Sequence, residues 1–376
     1  MLFVKRDNLK TGMRLARPIY NKNGVLLYER NSKLTKQGIE SIRNFGLIGI
    51  FILEPAEPVP PMTQADIEFE RFQTMCVFSI REELDKILQT KRVSRIQMIS
   101  ANIIKNYGHL DKRINFIQNL RSKEDYIYKH SLNVAILCAM ITHVMNIKVD
   151  EQLETVQAAL VHDIGKLTVA DILESENPSP EEKTRIEVAE VGGYDMIEMA
   201  FSSAPNVKRI CVQARKGLSS LKTGEDISSV RMGNGARVLA VAETYDRMTA
   251  VQFEKEPNSE VAALKYLLDN PQIFDSRVVD ALIKSINILV PGVSVELNTG
   301  EKALVLSANE QNVLRPMVLM FRDNSIVDLA DMDMYEDLEI RDIMKTMDNR
   351  YVMDMNLLKQ SGVEVEEPEY VEIAIL

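Results

Sequence analysis

Over the first 53 residues the apolar positions predict a small α/β unit. "MRLARPIY" and "GVLLYE" flank "NKNG", where Asn and Gly accept positive φ, the pattern of a hairpin. "LTKQGIESIRNF" puts Ile39, Ile42 and Phe45 on one helical face with Gly46 as C-terminal cap, and "LIGIFIL" reads as a buried strand. The Pro-rich "EPAEPVPP" cannot extend either element, so 54–64 is expected to be a linker. From 65 to 120 the period becomes helical: Phe69, Phe72, Cys76, Ile80, Leu84, Ile87 and Leu88 recur at three- and four-residue steps. Such linker helices pack either within the chain or against a second copy, giving a homodimer. Residues 121–290 read as all-α, with polar insertions at "SENPSPEE" and "GLSSLKTGEDISS". After Pro291, "VSVEL" and "KALVL" alternate around "NTGE", and "LRPMVLMF" offers a further strand up to about residue 325. The acidic segment from "DLADMDMYEDLE" onward is expected to return to helix and close on a strand near "YVEIAIL", so 291–376 is a β extension with a tail. The expected class is multidomain α+β: a small N-terminal α/β domain, linker helices, an all-α helical domain and a C-terminal β appendage.

Composition narrows the function. The chain has 376 residues, 45% hydrophobic and 27% charged, enough for two or three domains with a sizeable core. A formal charge of −10 argues against binding a nucleic acid polymer, which needs clustered Lys and Arg, but leaves room for one small phosphate ligand in a local basic pocket. Cys76, Cys138 and Cys211 are scattered and odd in number, as expected of reduced core thiols in a cytoplasmic protein. "MLFVKRDNLKTGM" lacks the apolar run of a signal peptide, and no membrane insertion is expected.

The candidate chemistry begins at "AALVHDIGK". His162 and Asp163 end an apolar helix, with Gly165 placed to let the chain turn away. His130 lies in "YKHSLNVAILCAMI", on a helical face with Val134, Leu137 and Ile141, so its imidazole points inward. Glu243 interrupts the apolar "ARVLAVAETYD", and a carboxylate there needs a metal or a cation. Two imidazoles and two carboxylates suit one divalent metal, Mn, Fe or Zn. Lys166 stands ready to hold a phosphate or the charge of a leaving oxygen. The bland alternatives are a hydrogen-bonded core histidine and a Glu243 paired with Arg237 or Arg247. His109 and His143 stand outside the pattern as surface or packing residues.

"HS" at 130–131, "AALVHDIGKL" and "ARVLAVAETYDRMTA" together resemble the HD-GYP branch of the HD phosphohydrolase superfamily. "LKTGMRLARPIYNKNGVLLYERNSKLT" is similar to the N-terminal domain often attached to these proteins, and "VPGVSVELNTGEKALVLSANEQNVLRPMVLMF" to the β extension that often follows them. The resemblance implies an HD-type helical domain and a metal-dependent phosphodiesterase acting on cyclic di-GMP through two or three bridged metals. It also implies that His130, His162, Asp163 and Glu243 are metal ligands. The sequence departs from that pattern in a concentrated way. Ala189 stands where the family has a further histidine, and Ala214 and Arg215 fall in the stretch that should carry a His-His-Glu cluster and the GYP loop.

Three functions follow. The preferred one is a degenerate, non-catalytic regulatory module of cyclic di-GMP signalling, working through protein partners of a signalling or motility pathway or through cyclic di-GMP or another nucleotide. The second is a residual mononuclear phosphohydrolase using His130, His162, Asp163 and Glu243, with Asp163 and Lys166 in catalytic roles. The third is a purely structural dimerisation protein. Under the first, the site holds one divalent metal or none. Arg215 or Lys216 then fills the vacated volume and pairs with Asp163 or Glu243, or 214–216 is a solvated loop; with Lys166, Arg215 is the candidate phosphate binder.

Overall fold

The computed structural model describes residues 2–20, 25–53, 63–122, 124–172, 179–223, 231–251 and 257–344. Its N-terminal unit comprises β1 (Leu2–Lys5), β2 (Arg14–Leu15), β3 (Ile19–Tyr20), β4 (Leu26–Tyr28), α1 (Lys36–Asn44) and β5 (Gly49–Leu53). β5 lies between β1 and β2, antiparallel to both, while β3 pairs with β4 as the hairpin pattern requires. The NKNG turn and most of the expected Pro-rich linker lie outside the described residues. α1 starts where the Thr35 hydroxyl accepts the Gly38 amide at 3.0 Å, and the chain leaves it through Gly46 at φ +66°. Ile39 and Ile42 are buried as expected, but Phe45 sits past the last turn and is exposed, and Leu47 fills the core there instead.

α2 (Gln64–Thr90) and α3 (Ile96–Tyr107) begin the helical part, α2 with a reciprocal Thr63–Asp66 cap. They pack within the chain: Phe69, Ile80, Leu84, Ile99 and Ile103 join the same apolar core as the helices that follow. Those are α4 (Tyr126–Val144), α5 (Val149–Val161), α6 (Pro180–Ala200), α7 (Asn206–Thr223), α8 (Asn234–Thr249), α9 (Glu260–Asp269) and α10 (Ser276–Ser285). α4 is buried on nearly every side from Ile127 to Thr142, with α2, α3, α5, α8 and α10 around it. A single 3₁₀ segment, Ile164–Val169, carries the chain away from α5. The loop expected from Gly217 starts later than the pattern suggested. Residues 217–223 continue α7, because Leu218 and Leu221 pack one turn apart on the core and Met232 lies against Gly217.

β6 (Ser294–Leu297), β7 (Lys302–Ser307), β8 (Met317–Met320), β9 (Ile326–Asp328), α11 (Met332–Tyr335) and β10 (Ile340–Ile343) complete the described chain. They form an antiparallel sheet in the order β10-β6-β7-β8-β9, its first hairpin turning through Gly300 at φ +83°. The sheet runs past residue 325, where the pattern placed its end, because β10 returns beside β6. Val295, Leu297, Val305 and Val318 press its inner face into the helical core. The strand expected near "YVEIAIL" falls outside the described residues. The α+β class read from the pattern is borne out. No described helix is long and apolar enough to cross a membrane.

Candidate metal centre

His130 comes from the second turn of α4, His162 and Asp163 from the end of α5, and each is held by a specific neighbour. The His130 Nδ1–H donates to Asp246 Oδ2 at 2.6 Å, and the His162 Nδ1–H donates to the Ala159 carbonyl at 2.7 Å. With both Nδ1 atoms serving as donors, both Nε2 atoms present lone pairs, and these converge to 3.3 Å. Asp163 Oδ2 lies 3.8 Å from each of them. A point equidistant from the corners of a triangle with sides 3.3, 3.8 and 3.8 Å is about 2.1 Å from each corner, within the roughly 2.0–2.2 Å range of zinc–nitrogen and zinc–oxygen bonds. Burial presses the His130 pKa down to about 4, against the pull of Asp246, so its ring stays neutral and able to ligate at pH 7. His130, His162 and Asp163 therefore form a cluster that could hold one divalent ion.

The remaining charged groups close on one another. Lys166 Nζ lies 2.7 Å from Asp163 Oδ1 and 3.4 Å from Glu190 Oε1. Arg215 pairs with the other oxygen of Glu190. Arg247 Nη2 stands 3.2 Å from Asp163 Oδ2 and 2.8 Å from Glu243 Oε1. Burial alone would raise the pKa of Asp163, but Lys166, the histidines and Arg247 hold it well below the usual carboxylate range; Arg247 does the same for buried Glu243. Three carboxylates thus face three cations. The cavity that the carboxylates line with Lys166, Arg215, His162, Tyr194 and Cys211 is only about 10 Å³, room for about one water.

Several expectations change here. Glu243 reaches the pocket, but its partner is Arg247, one of the two cations named as the bland alternative. Arg215 pairs with Glu190, not with Asp163 or Glu243, since Glu190 on α6 points into the gap between them. Nor is 214–216 a solvated loop: it lies within α7, and Ala214 is fully packed. Ala189 lies over Gly165, its carbonyl oxygen 2.1 Å from where a Gly165 Cβ would stand. Gly165 is therefore needed for close approach to α6 and Gly193, not for a turn at positive φ. His109 is exposed and His143 meets Asp111 at 2.9 Å, so neither joins the cluster.

Four residues that hold the site escaped the sequence reading. Asp246 is fully buried and accepts from Arg121 Nη2 at 2.7 and 2.8 Å and from Asn133 Nδ2 at 2.9 Å, besides His130. Glu190 follows Ala189 directly. Asp246, three residues after Glu243 in the same apolar run, carried a readable signal; Arg121 in "NLRSKED" carried none.

Residues 115–278 match the HD domain family. A cyclic di-GMP phosphodiesterase of Pseudomonas aeruginosa is 24% identical over 283 residues, which cover 71% of this chain and 66% of that protein. The aligned stretch spans just under two thirds of the relative's length.

Proposed function

We propose, on the match of residues 115–278 to the HD domain family, that the chain is a non-catalytic regulatory protein of cyclic di-GMP signalling whose centre holds at most one divalent metal. The observation that carries this reading is the closed charge balance of the pocket. Asp163, Glu190 and Glu243 are already neutralised by Lys166, Arg215 and Arg247. Two-metal cleavage of a phosphodiester needs a second cation beside the first to stabilise the leaving oxygen. Here Ala189 and Ala214 offer no donor, and Lys166 and Arg215 occupy the region around Glu190 with protein charge. Small-molecule sites usually enclose about 300–1,000 Å³, whereas this cavity is about 10 Å³, too small to admit a dinucleotide. Any nucleotide recognition or protein contact is therefore assigned to surfaces outside the cavity.

A second reading, a mononuclear phosphohydrolase, is favoured by the convergent Nε2 atoms. Bound there by His130, His162 and Asp163, one divalent metal supplies Lewis-acid chemistry. In that case Asp246 and the Ala159 carbonyl fix the imidazole tautomers, Arg247 orients Asp163, and Lys166 releases Glu190 to meet a phosphate oxygen.

The test is incubation of the full chain with Mn²⁺ or Fe²⁺ and cyclic di-GMP, anaerobically, with chromatographic detection of the linear dinucleotide. No turnover is expected. Turnover abolished by His162→Ala would overturn the non-catalytic reading.

A further inference from the structure

Residues 114–122 run between the N-terminal unit and the helical core without regular structure, and they hydrogen-bond to both. Ile114 forms a backbone bridge to the end of α10, and the Ile117 carbonyl accepts from Gln73 of α2 at 3.1 Å. The Gln118 and Arg121 carbonyls are taken by the N-terminal unit. Arg17 Nη1 donates to the Gln118 carbonyl at 2.7 Å, the Ile48 amide donates to the Arg121 carbonyl at 3.1 Å, and Leu47 bridges to Ser122. Leu120 packs on the apolar core of that unit.

The side chains of Gln118 and Arg121 point the other way. Gln118 Nε2 donates to the Thr249 hydroxyl at 2.8 Å, and its Oε1 accepts from Asn133 at 2.9 Å and from Arg121 at 3.3 Å. Arg121 and Asn133 both bond Asp246, which accepts the His130 Nδ1–H. A continuous series of hydrogen bonds therefore joins Arg17 in the first domain to a candidate metal ligand in the second. Arg17 itself is fixed at the junction, its guanidinium 4.6 Å from the centroid of the Phe51 ring.

We infer that Arg17 is a positioning residue for His130, and that the N-terminal unit, through residues 117–122, sets how tightly the centre holds its metal. The inference rests on the reading of His130 as a ligand. Groups outside the ligand shell that orient a metal-binding histidine change affinity by roughly 10–100-fold when removed. Arg17 acts at one further remove, so its loss belongs near the lower end. Anything that bound the N-terminal unit and drew Arg17 away would loosen the metal centre without entering it.

The experiment uses the full chain, with Arg17→Ala, Arg17→Lys and Ile39→Ala compared. Ile39 belongs to the N-terminal core and makes none of the bonds above, so its variant reports simple destabilisation of that unit. Two quantities are read: Mn²⁺ affinity by titration calorimetry, and the ring signals of selectively labelled histidines in EDTA-treated protein, where only four need assignment. Arg17→Ala should weaken Mn²⁺ binding about 10-fold and move the His130 signals, Arg17→Lys should restore most of both, and Ile39→Ala should change neither. Unmoved His130 signals in Arg17→Ala, or equal losses in Ile39→Ala, would overturn the inference. If the parent chain takes up no Mn²⁺, the claim that the N-terminal unit sets metal affinity is overturned, while the proposed function, which allows an empty centre, stands and the metal-free ring signals still decide the role of Arg17.

Discussion

Asp246→Asn is the sharpest perturbation of the buried network. Asp246 and Arg121 both have side chains with 0% exposure. The carboxylate receives only donors, from Arg121, Asn133 and His130. An amide turns at least one of its two ends toward another donor and removes the charge that compensates Arg121. Removing one partner of a buried ion pair costs about 3–5 kcal/mol, a large part of the roughly 5–15 kcal/mol that stabilises an ordinary domain. The chain has no Trp, so urea unfolding is followed by far-ultraviolet circular dichroism. Arg121→Met should cost a similar amount. The double variant should cost less than the sum by about 0.5–3 kcal/mol, the coupling of groups in direct contact. A cost below about 1 kcal/mol for Asp246→Asn, or additivity of the two changes, would refute the claim that this pair is a structural keystone.

Other consequences are open to measurement. Gly165→Ala drives a Cβ into the Ala189 carbonyl, so α6 must move away from the HDIGK turn; a loss of about 1–3 kcal/mol is expected in thermal unfolding, and an unchanged midpoint would contradict it. Burial tends to raise the pKa of Glu83, but amides of Ser94, Arg95 and Ile96 and the Ser94 hydroxyl outweigh it and hold the group low. A depressed folded pKa gives stability that is full above the unfolded value of about 4.3 and is lost as pH falls through the folded value. Glu83→Gln should therefore lower stability at neutral pH and flatten its fall in acid; parallel pH profiles for the two proteins would show that Glu83 is not the titrating group.

The parts of the fold that could be read in advance are those where one element carries its own pattern. Ile39 and Ile42, or Phe69, Ile80, Leu84 and Ile87, declare a buried helix face through their spacing alone. The hairpin around NTGE did so through alternation and a glycine. Phe45 misled because helix geometry ends one residue before it. α4 offered no face to read, being buried all round, so the inward position of His130 followed from its neighbours' apolarity more than from its register.

The site divides along the same line. His130, His162 and Asp163 were legible because histidine is scarce in this chain and an HD pair at the end of an apolar helix is unusual. What completes the site was illegible because its partners are far apart in sequence. Arg121 meets Asp246 across 125 positions, Arg247 meets Asp163 across 84, and Arg215 meets Glu190 across 25. Arg121, Glu190 and Arg215 look locally like ordinary solvated side chains. Only the tertiary fold shows that three of the cations are spent on three carboxylates.

The most direct test of the account is the metal content of the chain purified anaerobically, measured by elemental analysis beside His162→Ala. The donors and the charge balance predict at most one equivalent of Fe, Mn or Zn, and none in the variant. Two equivalents in the parent protein would contradict the account, since the second ion would have to displace Lys166 and Arg215 from Glu190.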